Sequence, residues 1–171
     1  MKKRHLSKKA GMPPGSAVYT GTKTGETVIN MLVFDDENFR EYENISVDQA
    51  IELQGQLTTN WIIVKGFSQS GELQKLANHF EMHPLVFEDI FNVEHMPKIE
   101  DLDQSLFVTL KNLTWNEDEQ FIESEQISLY LGANILISFE EKGNNVFSEL
   151  IERLKTGKGK AQFRALIFLS D

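Results

Sequence analysis

The sequence holds no cysteine and only four prolines in 171 residues. Without thiols there can be no disulfide and no thiolate metal site, a composition that suits a reducing compartment such as the cytosol. Long apolar runs are missing too. Nothing approaches the roughly 18 residues a bilayer-spanning helix needs, so no segment of the chain as given reads as a membrane span. The start, MKKRHLSKK, is basic but leads into Ala10, Gly11, Met12, Pro13 and Pro14. An apolar stretch would follow in a secretory signal, and none does. Basic residues are scarce overall: 17 Lys and Arg against 26 Asp and Glu leave a net charge of −9. Such a surface repels phosphates, so no nucleic-acid partner is expected, whereas cations are concentrated around it.

Catalytic signatures are absent as well. There is no nucleophile elbow, no glycine-rich dinucleotide fingerprint after the apolar run 61–64, and no cysteine nucleophile. Gly21-Thr22-Lys23-Thr24-Gly25 lacks the order of a phosphate loop and reads as a turn. His79 and His83 lie four apart, a spacing that can bring zinc ligands onto one helix face. The intervening glutamate is misplaced for H-E-x-x-H and Pro84 follows at once, so a helix-terminal His79 and a capping His83 are expected instead. The acids at 117–119 lack the spaced oxygens and central glycine of a calcium loop. Asp101 and Asp103 are expected to be exposed, and Glu123, Glu125 and Gln126 to pair polar groups across a sheet. An enzyme is not expected.

What is present is enough apolar residue, 40%, for one domain with a core. Residues 1–9 read as a solvated arm. Short strands are expected at 17–20, 28–34 and 39–42, the last two paired. Ser46 opens a helix carrying Val47, Ala50 and Ile51, with Asp48 suited to its positive first turn. Residues 61–64 form a continuously apolar strand covered on both faces. Ser70 is expected to cap a helix whose Leu73, Leu76, Ala77 and Phe80 follow helical spacing. Residues 106–115, 121–131 and 135–139 then read as an antiparallel meander with turns at 116–119 and 132–134. Val146, Phe147, Leu150, Ile151 and Leu154 mark a last amphipathic helix, ended by Gly157 and Gly159. The predicted fold is α/β (α+β): a mixed, largely antiparallel sheet sandwiched between helices. Its domain spans 16–160, after an arm at 1–15. The apolar residues 163–169, stopping at Asp171, suggest that the chain is a piece of a longer one.

The chain centres on residues 83–98, HPLVFEDIFNVEHMPK. Pro84 suits the first position of a helix. At about 100° per residue, Val86, Phe87, Ile90 and Phe91 share one face. Glu88, Asp89, Asn92 and Leu85 fall opposite, so two adjacent carboxylates are expected to face solvent or a neighbouring chain. Read from the residues alone, they are either a solvated helix face or ligands for a hard cation such as Mg²⁺, which takes one or two carboxylates and keeps several waters.

This run, with the later ESEQISLYLGANILISFEE at 123–141 and the opening KKAGMPPGSAVYTG at 8–21, resembles the N-terminal cytosolic domain of the CorA family of magnesium channels. The resemblance covers essentially the whole chain, in order. The family's membrane part and its Gly-Met-Asn signature do not occur in these 171 residues. The resemblance implies the regulatory domain of a channel for Mg²⁺, with Co²⁺ and Ni²⁺ as further cargo. It implies a homopentamer on the cytoplasmic side of the cell membrane, anchored by a C-terminal region beyond this chain. Glu88 and Asp89 match the positions that bind regulatory divalent ions at subunit boundaries, and the backbone carbonyl of Met12 is a weaker match to a further ligand. The resemblance also implies that 161–171 begin the family's long helix, whose remaining acidic ligands lie past Asp171. Two other readings stand beside this one: a zinc-transporting relative of the same superfamily, and a free-standing cytosolic binding or assembly module.

Overall fold

The structure, a computed structural model, describes residues 18–21 and 25–157. The expected arm, the Met12 carbonyl, Gly159 and the apolar 163–169 stretch lie outside the described residues. In chain order the elements are β1 (Val28–Phe34), β2 (Phe39–Tyr42), α1 (Val47–Leu53), β3 (Thr59–Lys65), α2 (Ser70–His79), α3 (Pro84–Phe91), β4 (Lys98–Asp101), β5 (Leu106–Asn116), β6 (Phe121–Leu131), β7 (Ile135–Glu140) and α4 (Ser148–Lys155). The strands form one seven-stranded sheet in the order β2-β1-β3-β7-β6-β5-β4. Every neighbouring pair is antiparallel except β3 and β7, which run parallel with Asn60 opposite Ile135 and Lys65 opposite Glu140. The mixed, largely antiparallel sheet expected from the sequence is therefore present, and the meander β5-β6-β7 forms as read.

Helices lie on both faces because the central strand is apolar at every turn of its pleat. In β3, Ile62 and Val64 join the core under α1, α2 and α3, with Leu73, Leu76, Val86, Phe87, Ile90 and Phe91. Trp61 and Ile63 point the other way, into a smaller core with Leu32, Phe34, Leu136 and Leu154 of α4. Successive strand side chains alternate faces, so only a strand buried on both sides can be uniformly apolar.

Local chemistry explains most of the helix ends. Ser46 caps α1 in a capping box: its hydroxyl accepts from the Gln49 N–H at 3.2 Å, and the Gln49 side chain accepts from the Ser46 N–H at 2.9 Å. Ser70 was expected to cap α2 but is its first helical residue; Gln69 precedes it without a side-chain cap. The entry is instead held from outside, where the Gln69 N–H donates to the Thr27 hydroxyl at 2.9 Å. The described part of the expected strand at 17–20 is also not a strand. Its Thr20 N–H donates to the Phe91 carbonyl at 3.1 Å, which ties that segment to the end of α3 rather than to the sheet. Between β3 and α2 the chain needs Gly66 (φ +73°), where a Cβ would stand 2.3 Å from the Glu26 carbonyl oxygen. That positive φ and that close approach both require glycine.

Strand β4 has no counterpart in the sequence reading. It pairs with β5 through Lys98 opposite Thr109 and Asp101 opposite Leu106, and closes one edge of the sheet. At the far end of the β5–β6 hairpin, Leu113, Trp115 and Ile122 stay exposed.

Candidate functional site

The site is built on α3. Pro84 occupies its start, and His83 Nδ1 accepts from the Leu85 N–H at 3.2 Å, satisfying a donor that the first turn leaves free. His79 ends α2, so the two histidines belong to different helices and different tasks, as expected. Val86, Phe87, Ile90 and Phe91 are all buried, and the Phe87 and Phe91 rings pack 5.0 Å apart, with Phe67 5.3 Å from Phe91. The helix can hardly rotate about its own axis without breaking this face.

Glu88 is half-buried, but Asp89 is only 8% exposed. The expectation that both carboxylates face outward is corrected for Asp89. Three residues after Val86, Asp89 sits directly above it on the flank of the apolar face, and β4 comes alongside that flank. Lys98 of β4 places its Nζ 2.6 Å from Asp89 Oδ2 and 2.8 Å from Glu100 Oε1. Its ammonium also stands 5.9 Å from the centre of the Phe107 ring. The other oxygen, Asp89 Oδ1, lies 3.0 Å from His95 Nδ1. His95 Nε2 is in turn 2.6 Å from the Asn92 amide nitrogen, while the Thr20 hydroxyl donates to Asn92 Oδ1 at 3.2 Å. With the Asn92 amide donating to Nε2, the ring hydrogen belongs on Nδ1, where it donates to Asp89. Burial by itself would lower the Lys98 pKa; hydrogen bonds and charge from Asp89 and Glu100 outweigh it and leave that pKa above its ordinary value.

The end of the helix is fixed to the sheet by polar side chains. Gln126 of β6, fully buried, donates from Nε2 to the carbonyls of Asp89 (3.0 Å) and Ile90 (3.3 Å). Lys111 of β5 donates to the Val93 carbonyl at 2.5 Å and to Gln126 Oε1 at 3.1 Å. Burial lowers the Lys111 pKa, against the opposing charge of Glu141. Ile90 is among the last carbonyls, which a helix C-terminus leaves free; the Asp89 carbonyl also accepts from the Asn92 N–H at 3.2 Å, and Val93 lies just past the helix. Here the sequence reading was partly right: Gln126 does make polar pairs, but to a helix, not only across the sheet.

Three buried acids went unrecognised as buried: Glu125, Glu140 and Glu141. Glu125 Oε1 accepts from the N–H groups of Lys142 (2.8 Å) and Gly143 (3.1 Å), so it organises the turn after β7. Glu141 accepts from Tyr19 at 2.7 Å and from the Gln126 N–H at 2.9 Å. Glu140 accepts from the Val146 N–H at 3.3 Å, and desolvation raises its carboxyl pKa despite the opposing hydrogen bonds and the charge of Lys65. A carboxyl with a raised folded pKa adds stability below its unfolded pKa and loses it as pH rises through the folded value. Glu140→Gln should therefore raise the melting temperature at about pH 8 and leave it nearly unchanged at about pH 4, where both side chains are neutral. A gain that is the same at both ends of that range would mean that Glu140 does not titrate there.

Asp101 and Asp103 are exposed, as expected, and the acids at 117–119 form an exposed turn. Among the described residues, no three His, Asp or Glu side chains come together as a ligand set for a metal ion, and no helix is long and apolar enough to cross a membrane. The donor chemistry of Glu88 and Asp89 nevertheless fits a hard, hydrated cation, which needs only one or two carboxylates from one chain. Any such ion must compete with Lys98 for Asp89.

Residues 57–170 match the family of CorA-like Mg²⁺ transporter proteins. The cobalt/magnesium transport protein CorA of Thermotoga maritima is 35% identical over 159 residues, covering 93% of this chain and 45% of that protein. The structure of the full-length CmaX protein has a TM-score of 0.63 at 16% identity, over 81% of this chain and 42% of that one. The complete CorA magnesium transporter of Methanocaldococcus jannaschii has a TM-score of 0.53 at 15% identity, over 79% and 38%. At such identities the two structures speak for the fold alone. The chain spans less than half the length of each of these relatives.

Proposed function

Since the chain belongs to the family of CorA-like Mg²⁺ transporter proteins, we propose that it is the cytosolic regulatory domain of a divalent-cation channel. The cargo in this reading is Mg²⁺, with Co²⁺ and Ni²⁺ as further ions, and the working unit is a homopentamer held in the membrane by segments outside this chain. The observation that carries the reading is the carboxylate pair on α3, placed on a helix locked to the sheet by Gln126 and Lys111.

Glu88 and Asp89 act as the sensor. Near a neighbouring subunit they add to the repulsion between acidic surfaces, and a bound divalent ion supplies the charge that neutralises it. The pair then favours a closed, symmetric assembly, and losing the ion frees the subunits to move. Linkage requires the closed state to bind the ion more tightly than the open one, because a ligand shifts an equilibrium only by its differential affinity.

The test is transport by the full-length protein at controlled internal Mg²⁺. Replacing both acids by alanine should raise the half-inhibiting Mg²⁺ concentration by at least about tenfold, a coupling in the ordinary range for linked sites. Inhibition at the parent's concentration would remove both residues from the sensor.

A further inference from the structure

We propose that Lys98 is a tethered competitor for the cation at Asp89, handed between Asp89 and Glu100, and that it sets the concentration at which the sensor responds. This rests on the reading that Asp89 binds a divalent ion.

Both Asp89 oxygens already have donors, His95 on one and Lys98 on the other. A cation approaching this carboxylate must displace one of them. His95 is itself held by Asn92, and Asn92 by Thr20, so that side of the carboxylate is braced from behind. Lys98 is held differently. Its ammonium is shared with Glu100 Oε1 at 2.8 Å, two residues along the same face of β4, so it can leave Asp89 without being left unpaired. Its side chain is 29% exposed, which leaves room for that movement, against 11% for Asp89.

Charge then decides which cations succeed. The ammonium is a unit charge making a hydrogen-bonded ion pair, and a monovalent ion brings no more charge and no hydrogen bond in exchange. A divalent ion attracts the carboxylate twice as strongly and repels the ammonium towards Glu100. Lys98 thus filters by valence; shared with Glu100, its single charge offsets the buried carboxylate only in part while the ion is away. Its cost is affinity: the ion finds a competent site only in the fraction of molecules where Lys98 has moved, and the apparent dissociation constant rises by that factor.

The experiment is a calorimetric Mg²⁺ titration of the full-length protein, a binding readout independent of transport. K98M should lower the midpoint by about tenfold, and E100Q, which removes the second resting place, should raise it by about threefold. In K98M/E100Q the midpoint should stay within about twofold of K98M, because Glu100 acts through Lys98. An unchanged or raised midpoint in K98M overturns the proposal, as does a Glu100 effect of full size in the double variant. D89N separates this from the underlying reading. If D89N shifts the midpoint and K98M does not, the competitor fails alone; if neither shifts it, the cation site fails with it. Should circular dichroism show K98M unfolded, E100Q carries the test, and a midpoint that does not rise overturns the proposal.

Discussion

Trp61→Ala is expected to lose about 3–5 kcal/mol, the range for removing a fully buried aromatic residue from a core. Trp61 is completely buried in the smaller of the two cores, where its ring meets Phe147 edge-on at 5.3 Å. Its indole N–H donates to the Ser138 hydroxyl at 2.9 Å, and Ser138 is itself buried. Truncation leaves a cavity between the sheet and α4 and strands that hydroxyl. A domain of this kind holds about 5–15 kcal/mol in total, so the variant should be unfolded in a large share of molecules at 37 °C if the parent lies at the low end. Urea unfolding reads the loss directly. A loss under about 1.5 kcal/mol would mean that α4 collapses into the space and that this core is more plastic than its packing indicates.

Gln126→Leu is expected to cost about 2–4 kcal/mol although leucine has nearly the same volume. The substitution strands the Ile90 carbonyl, leaves the Asp89 carbonyl to the Asn92 N–H at 3.2 Å, and takes an acceptor from the half-buried Lys111 ammonium. Each stranded buried group costs about 1–3 kcal/mol, more when charged. The loss should be local as well as global: exchange of the α3 amides after Pro84 should accelerate relative to β3, because the polar attachment of the helix end is weakened while its apolar face remains. If helix and strand amides change equally and the urea midpoint hardly moves, the aromatic face alone positions α3. In the proposed sensor the same variant should blunt the response to Mg²⁺ without touching either carboxylate.

The parts legible in the sequence are those that announce themselves locally. Period-2 and period-3.6 apolar patterns place β1, β3, the long meander and the helices, and a uniformly apolar Trp61-Ile62-Ile63-Val64 implies cover on both faces. Pro84 after a histidine marks a helix start on chemistry alone. Strand β4 was invisible because KIED has no apolar alternation: Ile99 is largely exposed on an edge strand, and only pairing with β5 makes the segment extended. The burial of Asp89 was missed for the same reason, since its partner Lys98 sits on that unseen strand. Glu125 was expected to pair across the sheet, and Glu140 and Glu141 carried no expectation of their own. Glu140 accepts from Val146 only six residues on, but Glu125 is met by N–H groups 17 and 18 positions away and Glu141 by a tyrosine 122 positions away, beyond any short window of sequence.

The single parallel seam between β3 and β7 divides the sheet into two parts of different history. On one side, β1, β2 and β3 are near neighbours in the chain; on the other, β4 to β7 are joined by short turns. Both parts can form by closing shorter loops, the widest of them from β1 to β3 over β2 and α1, whereas the seam must bring Asn60 to Ile135 across most of the domain. Pairings of long sequence separation form slowly because loop-closure entropy is lost before contacts return it. Until the seam closes, β3 and β7 are open edges, both mostly apolar and almost wholly buried in the finished sheet. The folding kinetics of the domain, and its window for misassembly with another chain, are thus governed by one strand pair, between whose two strands α2, α3, β4, β5 and β6 all lie in the chain.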